Sequence, residues 1–176
     1  MKKERLLVIF SLILFFQITQ AQLIMIDGET GDYKYEDVVN VEGVSQNQIQ
    51  NRVKEWIDKY YQNIDSIKIG DAEVSTLISK KITWKFVNKS IPIELFIDLN
   101  IQVKEGKYKY SFSNFRQGKL FFGELDVIPL KTYIERFPVR YQNLVEQPID
   151  EEITNAIISL EFYIINGVME KGEPDW

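Results

Sequence analysis

The chain predicts an α+β fold in which an antiparallel sheet carries helices packed on one face. Three observations carry that reading. Ile91, Ile93, Leu95, Ile97, Leu99, Ile101 and Val103 occupy one side of a period-two run, and Pro92, Glu94, Phe96, Asp98, Asn100 and Gln102 occupy the other. Strict alternation of this kind belongs to a strand with one face on a core and one face in water. Ile49, Val53, Trp56, Ile57 and Tyr60 form a single apolar stripe at helical spacing, which needs a sheet to cover it. The end of the chain returns to a helical period.

Taken in order, Leu23 to Ile26 and Tyr33 to Val41 read as two strands joined by a tight turn through Gly28 and Gly31. Asp27, Glu29 and Asp32 in that turn invite a calcium reading. The spacing does not match the twelve-residue calcium loop and lacks its closing bidentate glutamate, so a solvated turn is preferred. The first helix is the best marked element. Ser45 and Gln48 form a Ser-x-x-Gln capping box, and Val44 is placed to staple against Ile49. Trp56 reads as a core residue, with ligand contact as the alternative.

After Gly70 and Asp71 the period becomes two: Ile82, Trp84 and Phe86 alternate with Thr83 and Lys85. Asn88, Lys89 and Ser90 are the expected turn into the long strand. Lys104, Glu105 and Gly106 turn it back into Tyr108, Tyr110 and Phe112, completing a long hairpin. Beyond Asn114 the pattern loosens through Arg116, Gln117, Gly118 and Gly123. A helix is expected from about Leu130 to Phe137, ended by Pro138. The last helix is expected to open near Asp150 behind Pro148, with Glu151 and Glu152 complementing its dipole.

That last helix carries two apolar stripes. Ile153, Ala156, Ile157, Leu160, Ile164 and Val168 lie on one side, and Ile158, Phe162, Ile165 and Met169 on nearly the opposite one. One sheet cannot bury both. Either the preceding segment Leu130 to Val145 covers the second stripe, or a partner or second copy of the chain does.

The N-terminus sets the compartment. Lys2, Lys3 and Arg5 precede an apolar run from Leu6 to Phe16 broken only by Ser11, then a polar stretch ending in Ala21. This is the layout of a cleavable signal peptide over residues 1–21, and its apolar run falls short of the roughly 20 residues a spanning helix needs. No cysteine follows it, so lipid attachment is not expected. The expected location is the periplasm or the exterior, without a membrane anchor after cleavage. The organisation that follows is 1–21 signal peptide, 22–128 sheet plus first helix, and 129–176 a C-terminal helical segment packed on the same domain.

Composition excludes more than it assigns. With no cysteine and no histidine, the chain has no disulfide, thiol nucleophile, Ser-His-Asp triad or zinc site built on those residues. The formal charge of −5 becomes more acidic once a segment holding Lys2, Lys3 and Arg5 against Glu4 is removed. Nucleic acid is therefore not an expected partner, because its affinity is won with lysine and arginine. Nucleophile-elbow, phosphate-loop and dinucleotide motifs are absent from the sequence.

Carboxylates remain. Glu124 and Asp126 would share a strand face roughly 7 Å apart, and Glu94 and Asp98 roughly 13 Å apart, too far for a paired-acid mechanism. Tyr33, Tyr35, Trp84, Phe86, Tyr108, Tyr110, Phe112, Phe115, Phe121 and Phe122 read first as cross-strand packing and otherwise as the lining of a small-molecule pocket.

Residues Asp27 to Gly31, Tyr35, Val38, Val39, Val41, Gly43, Ser45, Arg52, Val53 and Trp56 resemble the exported domain-of-unknown-function family 4468. The resemblance resumes at Glu105 to Tyr110 with Phe112 and Asn114, which look like that family's last hairpin. It implies a curved antiparallel sheet of the TATA-binding-protein-like kind with helices on one face, and no activity. Family members tend to carry a glycine in the strand after the first helix, whereas here none stands between Gly70 and Gly106. The fold's namesake binds DNA, a habit that the acidic charge argues against carrying over.

The expected function is thus a non-enzymatic exported binding or interaction module, with an unknown protein partner or a homo-oligomer formed through the C-terminal helix. The alternatives are a carrier of a small apolar ligand in a sheet–helix cavity and a carboxylate hydrolase. No catalytic, cofactor-binding or metal residue is assigned, and no cofactor is expected.

Overall fold

A computed structural model describes residues 25–27, 31–61, 67–121 and 124–167, without the side chains of residues 25, 26, 119–121, 124 and 125. The signal-like segment, Glu29 of the acidic turn, Phe122, Val168 and Met169 lie outside the described residues.

One antiparallel sheet organises the chain. Its strands are β1 (Met25–Ile26), β2 (Tyr33–Asn40), β3 (Ile67–Ile69), β4 (Glu73–Phe86), β5 (Lys89–Lys104), β6 (Lys107–Phe121) and β7 (Glu124–Pro129). They pair in the order β1-β2-β6-β5-β4-β3, and β7 joins β6 beside β2. The first half of β6 pairs with β2 and its second half with β7, so those two strands lie end to end along one side of β6. Among the described residues there are three helices: α1 (Gln46–Tyr60) between β2 and β3, then α2 (Leu130–Ile134) and α3 (Val139–Asn166) after β7.

The inward side chains of β5 behave as their alternation dictates. Ile93, Leu95, Ile97, Leu99, Ile101 and Val103 are buried together with Val74, Ile78 and Trp84 of β4 and Tyr108, Tyr110 and Phe112 of β6. Against this face α1 lays Ile49, Val53, Trp56 and Ile57, and α3 lays Val145, Ile149, Ile153, Ala156, Ile157, Leu160 and Ile164. The α1 capping box forms as expected, the Ser45 side chain accepting from the Gln48 amide and the Gln48 side chain from the Ser45 amide.

Three expectations are corrected and a fourth feature is explained. The β4–β5 turn falls at Val87 and Asn88, while Lys89 and Ser90 already pair with Phe86 and Lys85. The loosening after Asn114 has its cause in a β-bulge, and β6 runs on through it to Phe121. Asp98 faces Ser113 and Phe96 faces Arg116, so β6 holds one residue more than β5 across this interval. Asn114 takes it up at φ 51, a left-handed conformation that asparagine tolerates. The extra residue shifts the phase of β6, and the inward aromatic after Phe112 becomes Phe115.

Phe96, on the polar side of the β5 alternation and so expected to be wet, is 3 % exposed and stands apart from the main core. Its register neighbours there are Ser79 and Arg116, whose guanidinium reaches Asp98. The last helix does not open behind Pro148. It starts at Val139, with Pro138 at its N-cap and Pro148 inside it. A proline there removes only one helical hydrogen bond, that to the Leu144 carbonyl, on a side where Leu144 is itself exposed.

The turn residue Val87 has φ 55 and is 83 % exposed. A β-branched side chain in that region is strained and here packs against nothing that offsets the strain. Val87→Gly is expected to raise stability by about 1 kcal/mol, the strain relieved less the extra freedom of glycine in the unfolded chain. Urea unfolding should show a higher midpoint at an unchanged slope; an equal or lower midpoint would contradict the strain.

Candidate functional site

Helix α3 is clamped along both flanks, and its outward side is left bare. On the α1 flank, the Trp56 indole Nε1 donates to Ser159 Oγ at 3.1 Å. The Lys80 ammonium pairs with Glu152 at 2.8 Å and lies 5.0 Å from the centre of the Tyr60 ring. Burial, and then Glu152 beside it, pushes the Tyr60 hydroxyl up to about 12. Arg52 closes the helix C-terminus by donating to the carbonyls of Ile164 and Ile165, where a cation also complements the helix dipole.

On the β2 flank two tyrosines perform the same task. Tyr33 donates to Glu146 at 2.5 Å and Tyr35 to Asp150 at 2.9 Å. Burial first, and the carboxylate acceptor second, raises both hydroxyls well above the ordinary tyrosine value, so both remain donors. Beneath them, between Phe115, Leu130, Ile134 and Ile149, is a cleft of about 10 Å³. That is room for a single water and not for an apolar ligand.

Further along this flank stands Glu161. Burial and then the Asp37 charge raise its pKa, and among the described residues neither a cation nor a hydrogen-bond donor reaches it. The native state therefore disfavours the ionised form. The penalty is absent below the unfolded value near 4.5 and grows as pH rises through the raised native value. Glu161→Gln is expected to stabilise the protein at pH 7 by a few tenths of a kcal/mol, Glu161 being only half buried. The difference should vanish below about pH 4. Thermal unfolding at the two pH values checks this, and equal melting temperatures at pH 7 would refute it.

The outward side of α3 holds Ile158, Phe162 and Ile165 at 54 %, 50 % and 58 % exposure. The expected cover, Leu130 to Val145, does not lie over them, because it forms α2 and the first turns of α3 itself. Met169, the stripe's last member, lies outside the described residues.

The remaining sequence candidates are dispersed. Asp126 is exposed opposite Lys119, and the Glu124 side chain is outside the described set. Glu94 accepts from Ser79, while Asp98 binds Asn114 and Arg116 at the bulge, so these two acids serve different neighbours. Asp27 and Asp32 close their turn through backbone bonds, and Asp27 also pairs with Lys34 at 3.8 Å. Tyr35, Trp84, Tyr108, Tyr110, Phe112 and Phe115 are core residues. Among the described residues no three acids gather as a metal site, and no helix is long and apolar enough to cross a membrane. Sequence reasoning missed Glu161 and Asp37. The available signal was a lone acid set between two apolar stripe residues, Ile158 and Ile165, in an otherwise apolar stretch.

A long-stranded antiparallel sheet with helices on one face defines the TBP-like class of α+β proteins. Residues 35–117 match the model of the domain of unknown function family DUF4468, described as having a TBP-like fold. The matched segment starts after the Asp27 to Gly31 run and ends just past the bulge. A TBP-like protein from Parabacteroides distasonis ATCC 8503 is similar in structure at 15% identity, with a TM-score of 0.60 over 80% of this chain and 97% of the other. A DUF4468 family protein from Bacteroides ovatus ATCC 8483 is similar at 15% identity, with a TM-score of 0.51 over 82% and 87%. Both likenesses concern the fold alone. No protein of curated function matches the chain in sequence.

Proposed function

We propose that this protein is a non-enzymatic exported domain, periplasmic or secreted, that binds another polypeptide through the outward side of α3. The observation that carries the reading is the Ile158, Phe162 and Ile165 stripe, half exposed on a helix whose opposite side is wholly buried. Three such neighbouring side chains approach the few hundred Å² of apolar surface that marks functional patches on soluble proteins. The acidic charge disfavours nucleic acid as the partner.

The test places a photo-crosslinking residue at Phe162 in the native host, with Lys85 on the sheet's other face as control. A discrete adduct at Phe162 alone supports the reading, and equal labelling at both positions sinks it. Light scattering at tens of micromolar separates self-association from a foreign partner.

A further inference from the structure

Asp37, Glu161 and Tyr108 converge where the C-terminal half of α3 passes the edge of the sheet. Asp37 lies opposite Tyr110 and Val39 opposite Tyr108, so Asp37 and Tyr108 are diagonal neighbours on the helix-facing side, with Cβ atoms about 7 Å apart. Asp150, which binds Tyr35 of β2, and Glu161 stand about three turns apart on nearly the same side of α3. Three turns are about 16 Å, which carry α3 from Tyr35 past Asp37 to the Val39 end of β2, the end paired with Tyr108. The electrostatics agree: Glu161 and Asp37 both raise the Tyr108 hydroxyl, after burial, and Asp37 raises Glu161.

Among the described residues, none of the three is satisfied by a neighbouring side chain. Tyr108 is 1 % exposed and its hydroxyl has no hydrogen-bond partner among the described residues. A buried hydroxyl left unpaired costs free energy and calls for a missing partner. Among the described residues Asp37 accepts only the adjacent Val38 amide. Asp37 is exposed, so the place is open to solvent.

We infer that Asp37, Glu161 and the Tyr108 hydroxyl form a binding site for a primary ammonium group, supplied by a lysine side chain of a partner polypeptide. Three acceptor groups match the three donors of an ammonium, whereas the planar fork of a guanidinium suits a single carboxylate. Calcium would want six to eight oxygens. Ile158 and Ile165 stand three before and four after Glu161, so both border it on the helix surface, and both are exposed. They offer an apolar rest for the methylene stem that a lysine brings and a bare amine does not. The origin of the lysine rests on the docking reading above; the ammonium site does not.

The test is an amide chemical-shift titration of the full chain at pH 7 with methylammonium, against tetramethylammonium, which has no N–H donor, and calcium chloride. Methylammonium should move the Val38 and Glu161 amides saturably, and Glu161→Gln and Tyr108→Phe should each weaken it about fivefold or more. Both variants are near-isosteric, and neither breaks a hydrogen bond among the described residues. Equal shifts from tetramethylammonium or calcium, or an unaltered titration in Glu161→Gln, would overturn the site. An acetylated Val-Lys-Val amide should bind about tenfold tighter than methylammonium, and its norleucine counterpart should not bind. Methylammonium binding with no gain from the lysine peptide would keep the ammonium site and overturn its polypeptide source. Crosslinking at Phe162 is read separately, so the two proposals can fail independently.

Discussion

Trp56→Ala is expected to destabilise the protein by about 3–5 kcal/mol, the range for removing a large buried aromatic. Trp56 is fully buried, stacks on Tyr60 at 5.4 Å and meets Tyr61 edge-on at 5.5 Å. Its indole N–H binds Ser159, so one side chain fills the core and ties α1 to α3. Truncation opens a cavity and leaves a half-buried hydroxyl without its donor. For a domain whose total stability is about 5–15 kcal/mol, that loss is about a fifth or more. Trp56→Phe keeps most of the volume, loses the N–H bond, and should cost about 1–2 kcal/mol. Denaturant unfolding of the two variants separates filling from tying. A loss below about 1.5 kcal/mol for the alanine would show that the α1–α3 seam is not where the core is held.

Trp56 was readable in the sequence because burial of α1 depends on a local period and a local cap. Ser45, Gln48 and the stripe from Ile49 all lie within a few turns. The same holds for β5, whose alternation needs no knowledge of its neighbours. Legibility failed wherever the answer depended on a second strand. One added residue at Asn114 reverses which side of β6 faces the core, and only the pairing of Asp98 with Ser113 and Phe96 with Arg116 reveals it. Val87 in the turn contradicts local preference, so the sequence pointed instead to the polar residues after it. Pro148 looked like a helix start because a proline inside a helix is normally disfavoured, and the exposed position of Leu144 is not visible in one dimension.

The α3 surface shows both outcomes. Its two stripes were plain from spacing, but whether the second was covered depended on where Leu130 to Val145 would go. Those residues begin the helix and cannot fold back over it. The acid pair was harder still. Asp37 and Glu161 come from opposite ends of the described chain, and only Glu161, set among apolar stripe residues, differs locally from a solvated carboxylate. Only the register of β2 on β6 and the lie of α3 along β2 bring them to the same unpaired hydroxyl. If the ammonium site is real, Glu161→Gln should stabilise the free protein while weakening the bound state. That opposition is expected where a residue is kept for binding at the expense of stability.

Gly118→Ala is expected to cost about 3 kcal/mol and to detach β7. A Cβ at this position would lie 2.3 Å from the Asp126 carbonyl oxygen, 2.5 Å from Val127 Cγ1 and 2.9 Å from Val127 Cα. Two of those three atoms are backbone, so no rotamer change relieves the clash. The glycine is required here by close approach of the paired strand and not by an unusual φ. Moving β7 has consequences beyond the ladder, because Pro129 ends it and Leu130 and Ile134 of α2 follow directly into the core. Amide exchange should therefore accelerate in Asp126 to Ile134 while β5 keeps its protection. Adding Val127→Ala removes the Cγ1 contact and leaves the carbonyl contact, so the double variant should recover less than half of the lost stability. Full recovery would mean that the side chain, not the backbone of β7, sets the limit at this position.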